Sequence, residues 1–212
     1  MELLKRIAAS LEEGDDERVR ELAAQALAGG VAAGEVLHAG LIAGMSVIGE
    51  RFRVREIFLP DVLLAARAMY AGLDVLRPHL ARDGVPALAK VVIGTVRGDL
   101  HDIGKNLVGI MLKGAGFEVI DLGHDVAPER FVDTAVETGA TVIGLSALLT
   151  TTMGRMRDVV ALLHERGLAG RVRTIVGGAP VTAEFAREIG ADDYAYDAAH
   201  AVERVKALVG LA

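Results

Sequence analysis

Residues 91–106 of this chain read VVIGTVRGDLHDIGKN, an apolar run followed by a polar segment bounded by glycines. The run 91–96 predicts a buried strand, and the spacing of Leu107, Ile110 and Met111 predicts a helix after it. Segment 98–106 is therefore a strand-to-helix loop. In an open parallel sheet such loops lie at the carboxyl ends of the strands, where ligands bind.

Asp99 and His101 stand two residues apart in this loop. A histidine so placed can project from the loop while a carboxylate holds one of its ring nitrogens, as is common for metal-ligating histidines. A loop histidine beside a helix-capping aspartate is the simpler interpretation. The loop by itself leaves both interpretations open.

Beyond Lys90, short apolar or β-branched runs alternate with helical patterns. The predicted strands are 90–96, 117–122, 141–145, 173–176 and 193–196, and the predicted helices are 103–115, 128–138, 152–166, 182–189 and 198–209. This alternation predicts an α/β domain with a five-stranded, doubly wound parallel sheet of the flavodoxin or Rossmann-like type. Neither a Gly-x-Gly-x-x-Gly turn nor a Walker-type loop supports a dinucleotide or nucleoside triphosphate ligand.

The first 82 residues show helical periodicity without strand patterns. Helices are predicted at 2–13, 16–28, 34–53 and 60–82, and their short connections favour an antiparallel four-helix bundle. Turn-forming residues in 78–86 predict a linker. Two domains are therefore expected, a helical domain at 1–84 and the α/β domain at 85–212.

Composition narrows the functional class. Hydrophobic residues make up 52% of the chain and charged residues 25%, as in a core-forming globular protein, and the net charge of -6 argues against a nucleic-acid surface. No apolar run approaches the roughly 18 residues of a membrane span, and no signal peptide is recognisable. A cytoplasmic protein is expected. Because the chain has no Cys, a metal would depend on His, carboxylates or a cofactor's own ligands.

Three segments together resemble the corrinoid proteins of methyltransferase systems: GDLHDIGKN at 98–106, SALLTTTM at 146–153 and VGGAPVT at 176–182. They are similar to the methylamine and methanol corrinoid proteins and to the cobalamin-binding module of methionine synthase. The resemblance covers nearly the whole chain. It implies a helical cap domain followed by a cobalamin-binding domain.

The resemblance also implies that cobalamin binds base-off/His-on, with His101 replacing the cofactor's own benzimidazole as the lower cobalt ligand. A corrin supplies four nitrogens of its own, so one protein ligand is sufficient, whereas a zinc site needs three or four. Asp99 would accept a hydrogen bond from the other ring nitrogen of His101, and Thr152 would donate its hydroxyl to Asp99. Thr152 could also be the N-cap of the following helix, a role compatible with the bond to Asp99.

The nucleotide tail of the cofactor has its own expected contacts. By resemblance, Ser146 and Thr150 would face the tail, Leu148 would form its apolar wall, Gly104 would leave room at the helix start, and Gly177 and Gly178 would let the backbone lie against the displaced base. Lys105 could meet the cofactor's phosphate, although an exposed lysine is the default expectation. His124 and Asp125 follow the second strand and could border the corrin or a partner surface.

The stretch FRVREIFLP at 52–60 resembles the segment that caps the corrin in this family. The resemblance implies that Phe52 and Leu59, seven residues apart, cover the upper face of the corrin and shield it from water. Arg55 stands where the family commonly has Gly. A turn with positive φ would accept Arg only at a cost of about 1 kcal/mol or more.

The function implied is that of a corrinoid methyl carrier, holding methylcobalamin or a related cobalt corrinoid. It would shuttle a methyl group between a substrate-specific methyltransferase and a second methyltransferase, whose acceptor is a thiol such as coenzyme M or tetrahydrofolate. A reductive activase is expected as a third partner. No catalytic residue is predicted, and the chain is expected to be inactive alone.

Three alternatives stay open at this point. One is a fragment-like relative of methionine synthase, and another is a cobalamin-dependent sensor or regulator without its DNA-binding module. The third abandons cobalamin for a divalent-metal hydrolase that uses Asp99, His101 and Asp102. That site would need further ligands, for which His124 and Asp125 are the nearby candidates.

Overall fold

The computed structural model describes residues 2–83 and 87–211, without the side chain of Ala81. The chain forms two compact units, one of Met1–Ala87 with Gly114–Gly116 and one of Leu88–Lys113 with Phe117–Ala212. The predicted domain boundary between residues 84 and 85 falls outside the described ranges. It stays a prediction.

The regular secondary structure described in the first unit is all helical, as predicted. Its helices are α1 (Glu2–Glu12), α2 (Asp16–Ala28), α3 (Ala33–Glu35), which continues through a π-helical segment (Val36–Ile42) into α4 (Ala43–Arg53), and α5 (Leu59–Asp83). Helix α2 packs against α1 and α5, and α1 also packs against the π-helical segment and α4. The side chains of Ile7, Leu22, Leu41 and Met69 are fully buried between them.

The predicted start of a linker at Pro78 is wrong. Helix α5 runs through Pro78 and ends at Asp83, while residues 84–86 lie outside the described ranges. A proline inside a helix removes one hydrogen bond, but the apolar face of the helix continues across it, because Leu76 is buried and Leu80 half-buried. Packing therefore outweighs the local preference of proline for a turn.

The turn after α4 adopts the conformation that would suit glycine. Arg55 has a φ of 62°. The N–H of Glu56 donates to the carbonyl of Arg51 at 2.9 Å, and the N–H of Arg55 donates to that of Phe52 at 3.0 Å, the two bonds of a Schellman motif. The Arg51 guanidinium also donates to the Glu56 carboxylate at 2.9 Å. These bonds hold a turn that costs about 1 kcal/mol more with Arg than with Gly.

The second unit contains the predicted parallel sheet. Its strands are β1 (Lys90–Thr95), β2 (Glu118–Asp121), β3 (Val142–Ser146), β4 (Arg173–Gly177) and β5 (Asp193–Ala195), in the order β2-β1-β3-β4-β5. The helices are α6 (Ile103–Gly114), α7 (Pro128–Thr138), α8 (Thr150–Met153), α9 (Arg155–Glu165), α10 (Ala183–Ile189) and α11 (Ala198–Leu208). The fold class predicted from sequence is confirmed.

One predicted helix is two. The pattern over 152–166 predicted a single helix, whereas the chain forms α8, passes through Gly154 and continues as α9. Glycine is a poor helix former because it loses the most backbone freedom on ordering. The division places the short α8 next to the loop that carries Asp99.

The main core of this unit lies on one face of the sheet. Val92, Ile143 and Val176 alternate along their strands with residues of the other face and pack against Phe131 of α7 and Met156 of α9. Helices α6 and α11 lie on the opposite face, next to Ile93 and Ile175. The strand order reverses between β1 and β3, so the loops that follow these two strands meet at the switch point, the usual ligand site in such sheets.

No helix within residues 2–83 and 87–211 combines the length and the apolar character needed to cross a bilayer.

Candidate ligand-binding site

The carboxylate of Asp99 lies at the centre of the site. Its side chain is completely buried. Oδ1 accepts from the backbone N–H of His101 at 3.1 Å and lies 2.8 Å from the Nδ1 of His101. Oδ2 accepts from the Leu148 N–H at 2.8 Å, the Leu149 N–H at 3.2 Å and the Thr152 hydroxyl at 2.6 Å. Asp99 thus joins the loop after β1 to the loop and helix after β3.

These hydrogen bonds keep Asp99 ionised. Burial by itself would raise the pKa of the carboxyl, but donors from Thr152, His101 and Leu148 outweigh burial and hold the pKa well below its usual range. An ionised carboxylate only accepts hydrogen bonds. Each of its neighbours must therefore be a donor.

This requirement sets the tautomer of His101. Because Asp99 carries no proton, the hydrogen between the two groups belongs to Nδ1, and a neutral His101 presents the lone pair of Nε2. The His101 side chain is 52% exposed. The hydroxyl of Thr95 donates to the His101 carbonyl at 3.0 Å, which fixes the backbone as well. The site offers one oriented, accessible nitrogen ligand.

Thr152 is buried and lies inside α8. Its hydroxyl contacts Asp99 and, at 3.0 Å, the carbonyl of Leu149. Helices α8 and α9 follow Leu149 and Gly154, respectively, and neither has a side-chain cap. The capping interpretation of Thr152 is therefore wrong, because Thr152 lies inside α8 and precedes neither helix as its N-cap.

Exposed apolar side chains surround the histidine loop. Leu100 is 65% and Ile103 73% exposed, and Leu148 and Leu149 on the next loop are 45% and 41% exposed. Sequence reasoning identified only Leu148. The signal that could have found the others is the presence of large apolar residues in loops at the carboxyl edge of the sheet. Such a surface suits a broad apolar ligand.

A cavity of about 130 Å³ lies between the sheet and helices α6 and α11. Four predicted tail residues line it: Gly104, Ser146, Gly177 and Gly178. A Cβ added at Gly104 would meet no neighbouring atom within 4 Å, so this position borders open space. Thr150 is exposed at the start of α8, and neither it nor Leu148 is among the lining residues.

The paired glycines have an immediate structural reason. A Cβ at Gly177 would lie 2.9 Å from the carbonyl oxygen of Ala195, and one at Gly178 only 1.9 Å from that of Ala147. Gly178 also has a φ of 131°. Close contact with neighbouring backbone therefore requires these glycines before any ligand binds. Their predicted contact with a displaced base stays a prediction.

Lys105 departs from expectation. Its side chain is buried, not exposed, and the ammonium donates to Asp121 at the end of β2 and, at 2.6 Å, to the Asn106 side chain. The isolated loop pattern could not show this pairing, because Asp121 is 16 residues away. The ion pair ties the start of α6 to β2.

A conventional metal site has no support. Within the described ranges, no three His, Cys, Asp or Glu side chains form a group that could hold a metal ion. Asp99, moreover, is fully engaged by the five contacts above. The ligands that a divalent-metal hydrolase would need do not converge there.

In the helical unit, the predicted cap residues Phe52 and Leu59 lie at the end of α4 and the start of α5, and both are half-buried. Phe58, which was not singled out from sequence, is 68% exposed. The covering role of Phe52 and Leu59 stays a prediction.

Together, fold and site define a class of protein: a doubly wound domain that presents one oriented histidine nitrogen, bordered by exposed apolar side chains, at the ligand-binding edge of its sheet. Two family models, each described as a B12 binding domain, match residues 89–206 and 3–77. The chain belongs to this B12-binding family of corrinoid proteins.

Similar proteins share most of their length with this chain. Trimethylamine corrinoid protein 1 of Methanosarcina mazei is 44% identical over 208 residues, which cover 97% of this chain and 96% of that protein. The methanol:cobalamin methyltransferase complex MtaBC of Methanosarcina barkeri contains a chain with a TM-score of 0.89 and 30% identity, covering 99% of this chain and 80% of that one. A cobalamin-binding protein of Desulfitobacterium hafniense has a TM-score of 0.79 and 36% identity, with 97% and 98% covered.

Proposed function

We propose that this protein is a methyl carrier that holds a corrinoid in the base-off/His-on form. His101 is the lower ligand through Nε2, Asp99 fixes the ring, and Thr152 supports Asp99. The observation that carries the proposal is the bond between the exposed His101 ring and a buried, ionised carboxylate. It leaves one ring nitrogen accessible and basic, as for other metal-ligating histidines.

The remaining predicted contacts divide between two surfaces. Leu148, with its exposed apolar neighbours, borders the macrocycle, and the cavity beside Gly104, Ser146, Gly177 and Gly178 takes the nucleotide tail. Thr150 is a further candidate near the tail. When bound, the corrinoid supplies a cobalt centre able to accept and release a methyl group. The chain supplies ligation, orientation and exclusion of water.

The proposed partners follow from the related proteins. One relative is named a trimethylamine corrinoid protein, and one structural neighbour belongs to a complex with a methanol:cobalamin methyltransferase. We infer a substrate-specific methyltransferase as donor, a second methyltransferase with a thiol or tetrahydrofolate acceptor, and a reductive activase. Methylcobalamin or a related corrinoid is the inferred cofactor, and the cytoplasm the inferred compartment.

The test is ligation of cobalt by His101. Protein loaded with hydroxocobalamin and reduced to cobalt(II) should show electron paramagnetic resonance coupling to a protein imidazole, and His101→Ala should lose this coupling. His164→Ala, at an exposed histidine in the last turn of α9, is the matched control and should keep the coupling. Isotopic ¹⁵N labelling of the protein distinguishes its imidazole from the cofactor's own base.

Two results would contradict the proposal. One is a wild-type protein that binds no cobalamin. The other is a bound cofactor that retains its benzimidazole on cobalt in both the wild type and His101→Ala.

A second prediction concerns the tail cavity. Gly104→Leu places a side chain beside the cavity without a φ penalty, and its Cβ meets no neighbouring side chain or distant backbone within 4 Å in the free protein. Leucine also favours the helix by roughly 0.5–1 kcal/mol. We expect unchanged or higher apo stability but at least tenfold weaker binding of cobalamin, since one lost apolar or hydrogen-bonded contact of about 1.4 kcal/mol is a factor of ten.

Cobinamide, a corrinoid without the nucleotide tail, provides the control for this variant. Its affinity, measured by absorption titration, should be the same for the wild type and Gly104→Leu. Equal losses for cobalamin and cobinamide would show that the tail does not occupy this cavity.

A further inference from the structure

The loop between β2 and α7 is bound through its backbone to the loop after β1, which carries His101. Val96 pairs with Val126 in an isolated parallel bridge. The N–H of Val126 donates to the Thr95 carbonyl, and the N–H of Thr95 donates to that of Gly123, each at 3.0 Å. The two loops therefore continue the pairing of β1 and β2 beyond the sheet, up to the turn before Asp99.

Asp125 makes two contacts with this turn. Residues Val96 to Asp99 form a tight turn closed by the Asp99 N–H to the Val96 carbonyl at 3.1 Å, with a φ of 84° at Gly98. Asp125 Oδ1 accepts from the Gly98 N–H at 2.7 Å, and the Asp125 N–H donates to the Asp99 carbonyl at 3.0 Å. A single residue thus holds the backbone at both ends of the Gly98-Asp99 pair.

Asp125 has a backbone conformation that favours glycine, so its presence there points to a role for its carboxylate. Its φ of 54° lies in the left-handed region. Glycine would adopt this backbone without strain and would keep the bond from N–H to Asp99. What glycine lacks is the carboxylate that binds the Gly98 amide. Asp and Asn are the residues that combine this conformation with a side-chain acceptor.

The geometry assigns Asp125 the role of a positioning residue for the histidine ligand. Asp125 binds the Gly98 N–H and the Asp99 carbonyl and so fixes the backbone of Asp99. The Asp99 carboxylate in turn binds Nδ1 of His101, which sets the direction of Nε2. This inference rests on the proposed function of His101 as cobalt ligand. It extends the site to a residue on a third loop, whose hydrogen bonds go to the backbone of Gly98 and Asp99 and not to His101.

Three variants test this role. Asp125→Gly removes the acceptor and keeps the backbone conformation, whereas Asp125→Asn keeps an acceptor oxygen. Asp192→Ala is the matched control, because Asp192 accepts from the Thr174 N–H at 2.8 Å and the Thr174 hydroxyl at 3.0 Å at the opposite ends of the strands. It removes a comparable carboxylate clamp away from the histidine loop.

Two measurements are made on each variant. In the apo-protein, hydrogen exchange of the Gly98 amide should become about tenfold faster in Asp125→Gly, the effect of losing one hydrogen bond, and should stay within about threefold in Asp125→Asn and Asp192→Ala. In the protein loaded with hydroxocobalamin and reduced to cobalt(II), Asp125→Gly should show a second paramagnetic signal without protein imidazole coupling. Asp125→Asn and Asp192→Ala should show no such second signal.

The outcomes separate this inference from the proposed function. If the wild type shows imidazole coupling, His101→Ala loses it and Asp125→Gly keeps one signal identical to wild type, the positioning role is overturned while the proposed function stands. If Asp125→Asn is as impaired as Asp125→Gly, the acceptor oxygen is not the reason and the role is likewise overturned. A wild type without imidazole coupling overturns both.

Discussion

Asp99→Asn is expected to lower the free energy of unfolding by about 3 kcal/mol, since buried donors left without an acceptor cost about 1–3 kcal/mol each. All neighbours of the carboxylate are donors: the N–H groups of His101, Leu148 and Leu149, the Thr152 hydroxyl and Nδ1 of His101. An amide has one accepting oxygen and one donating NH₂ group. Any orientation therefore places NH₂ against a donor.

The less costly orientation directs the amide oxygen toward Leu148, Leu149 and Thr152. The NH₂ group then faces the His101 N–H, which loses its acceptor, and Nδ1, which becomes the accepting nitrogen. In that tautomer the ring proton moves to Nε2. On the proposed function, the variant should therefore lose ligation of cobalt by His101 as well as stability.

Urea unfolding of the apo-protein measures the loss of stability. Asp133→Asn is the matched control, because Asp133 forms an exposed ion pair with Arg166 on the same unit, and it should change stability by less than about 0.5 kcal/mol. A loss equally small for Asp99→Asn would contradict the acceptor-only description of this site.

The difference between wild type and Asp99→Asn also has an expected pH dependence. The folded pKa of Asp99 is lowered, so its stabilising contribution is present above the unfolded pKa of about 3.9. It should be lost as the pH falls below that value toward the folded pKa. Above about pH 5 the difference should be constant.

Gly178→Ala is expected to cost about 4 kcal/mol or more, a loss typical of backbone clashes and strained φ values at buried positions. The new Cβ would lie 1.9 Å from the Ala147 carbonyl oxygen, and the residue would have to keep a φ of 131° or move. Movement would separate the ends of β3 and β4, where the Ala147 N–H donates to Gly177. The cavity should be distorted too.

Gly139→Ala measures the cost of a left-handed conformation that involves no clash. Gly139 has a φ of 70°, and no atom lies within 4 Å of the position that an added methyl group would take, so this variant should lose only about 1 kcal/mol from the left-handed conformation. The difference in stability between the two variants, from thermal or urea unfolding, measures what the clash and the more extreme φ at Gly178 add together. Equal losses would contradict the clash predicted at Gly178.

Local patterns were sufficient to predict the fold class. Strand 90–96 and helix 128–138 could be predicted because apolar periodicity and flanking turn residues are properties of neighbouring positions. Pro78 and Gly154 show the limit of this approach. The proline lies inside α5 since tertiary packing continues across it, whereas the glycine divides a helix that the apolar pattern predicted as continuous.

In the candidate site, too, some features could be predicted from local sequence and others depend on tertiary contacts. Asp99 and His101 could be identified from a loop of nine residues, and the resemblance supplied Thr152. The Leu148 and Leu149 amides, 49 and 50 residues from Asp99, could not be predicted as its donors, because a backbone N–H carries no sequence signal. The same holds for Lys105, since its burial depends on a strand that adds Asp121 beside it.

The sequence by itself determined the parallel sheet, the helical unit and the histidine loop, because each depends on residues close together in the chain. Only the tertiary structure decided that Asp99 meets five donors, that Asp125 holds the backbone of the same loop, and that Gly178 lies against Ala147. The physical reason is that hydrogen bonds and close contacts between loops depend on distances that strand order and register create.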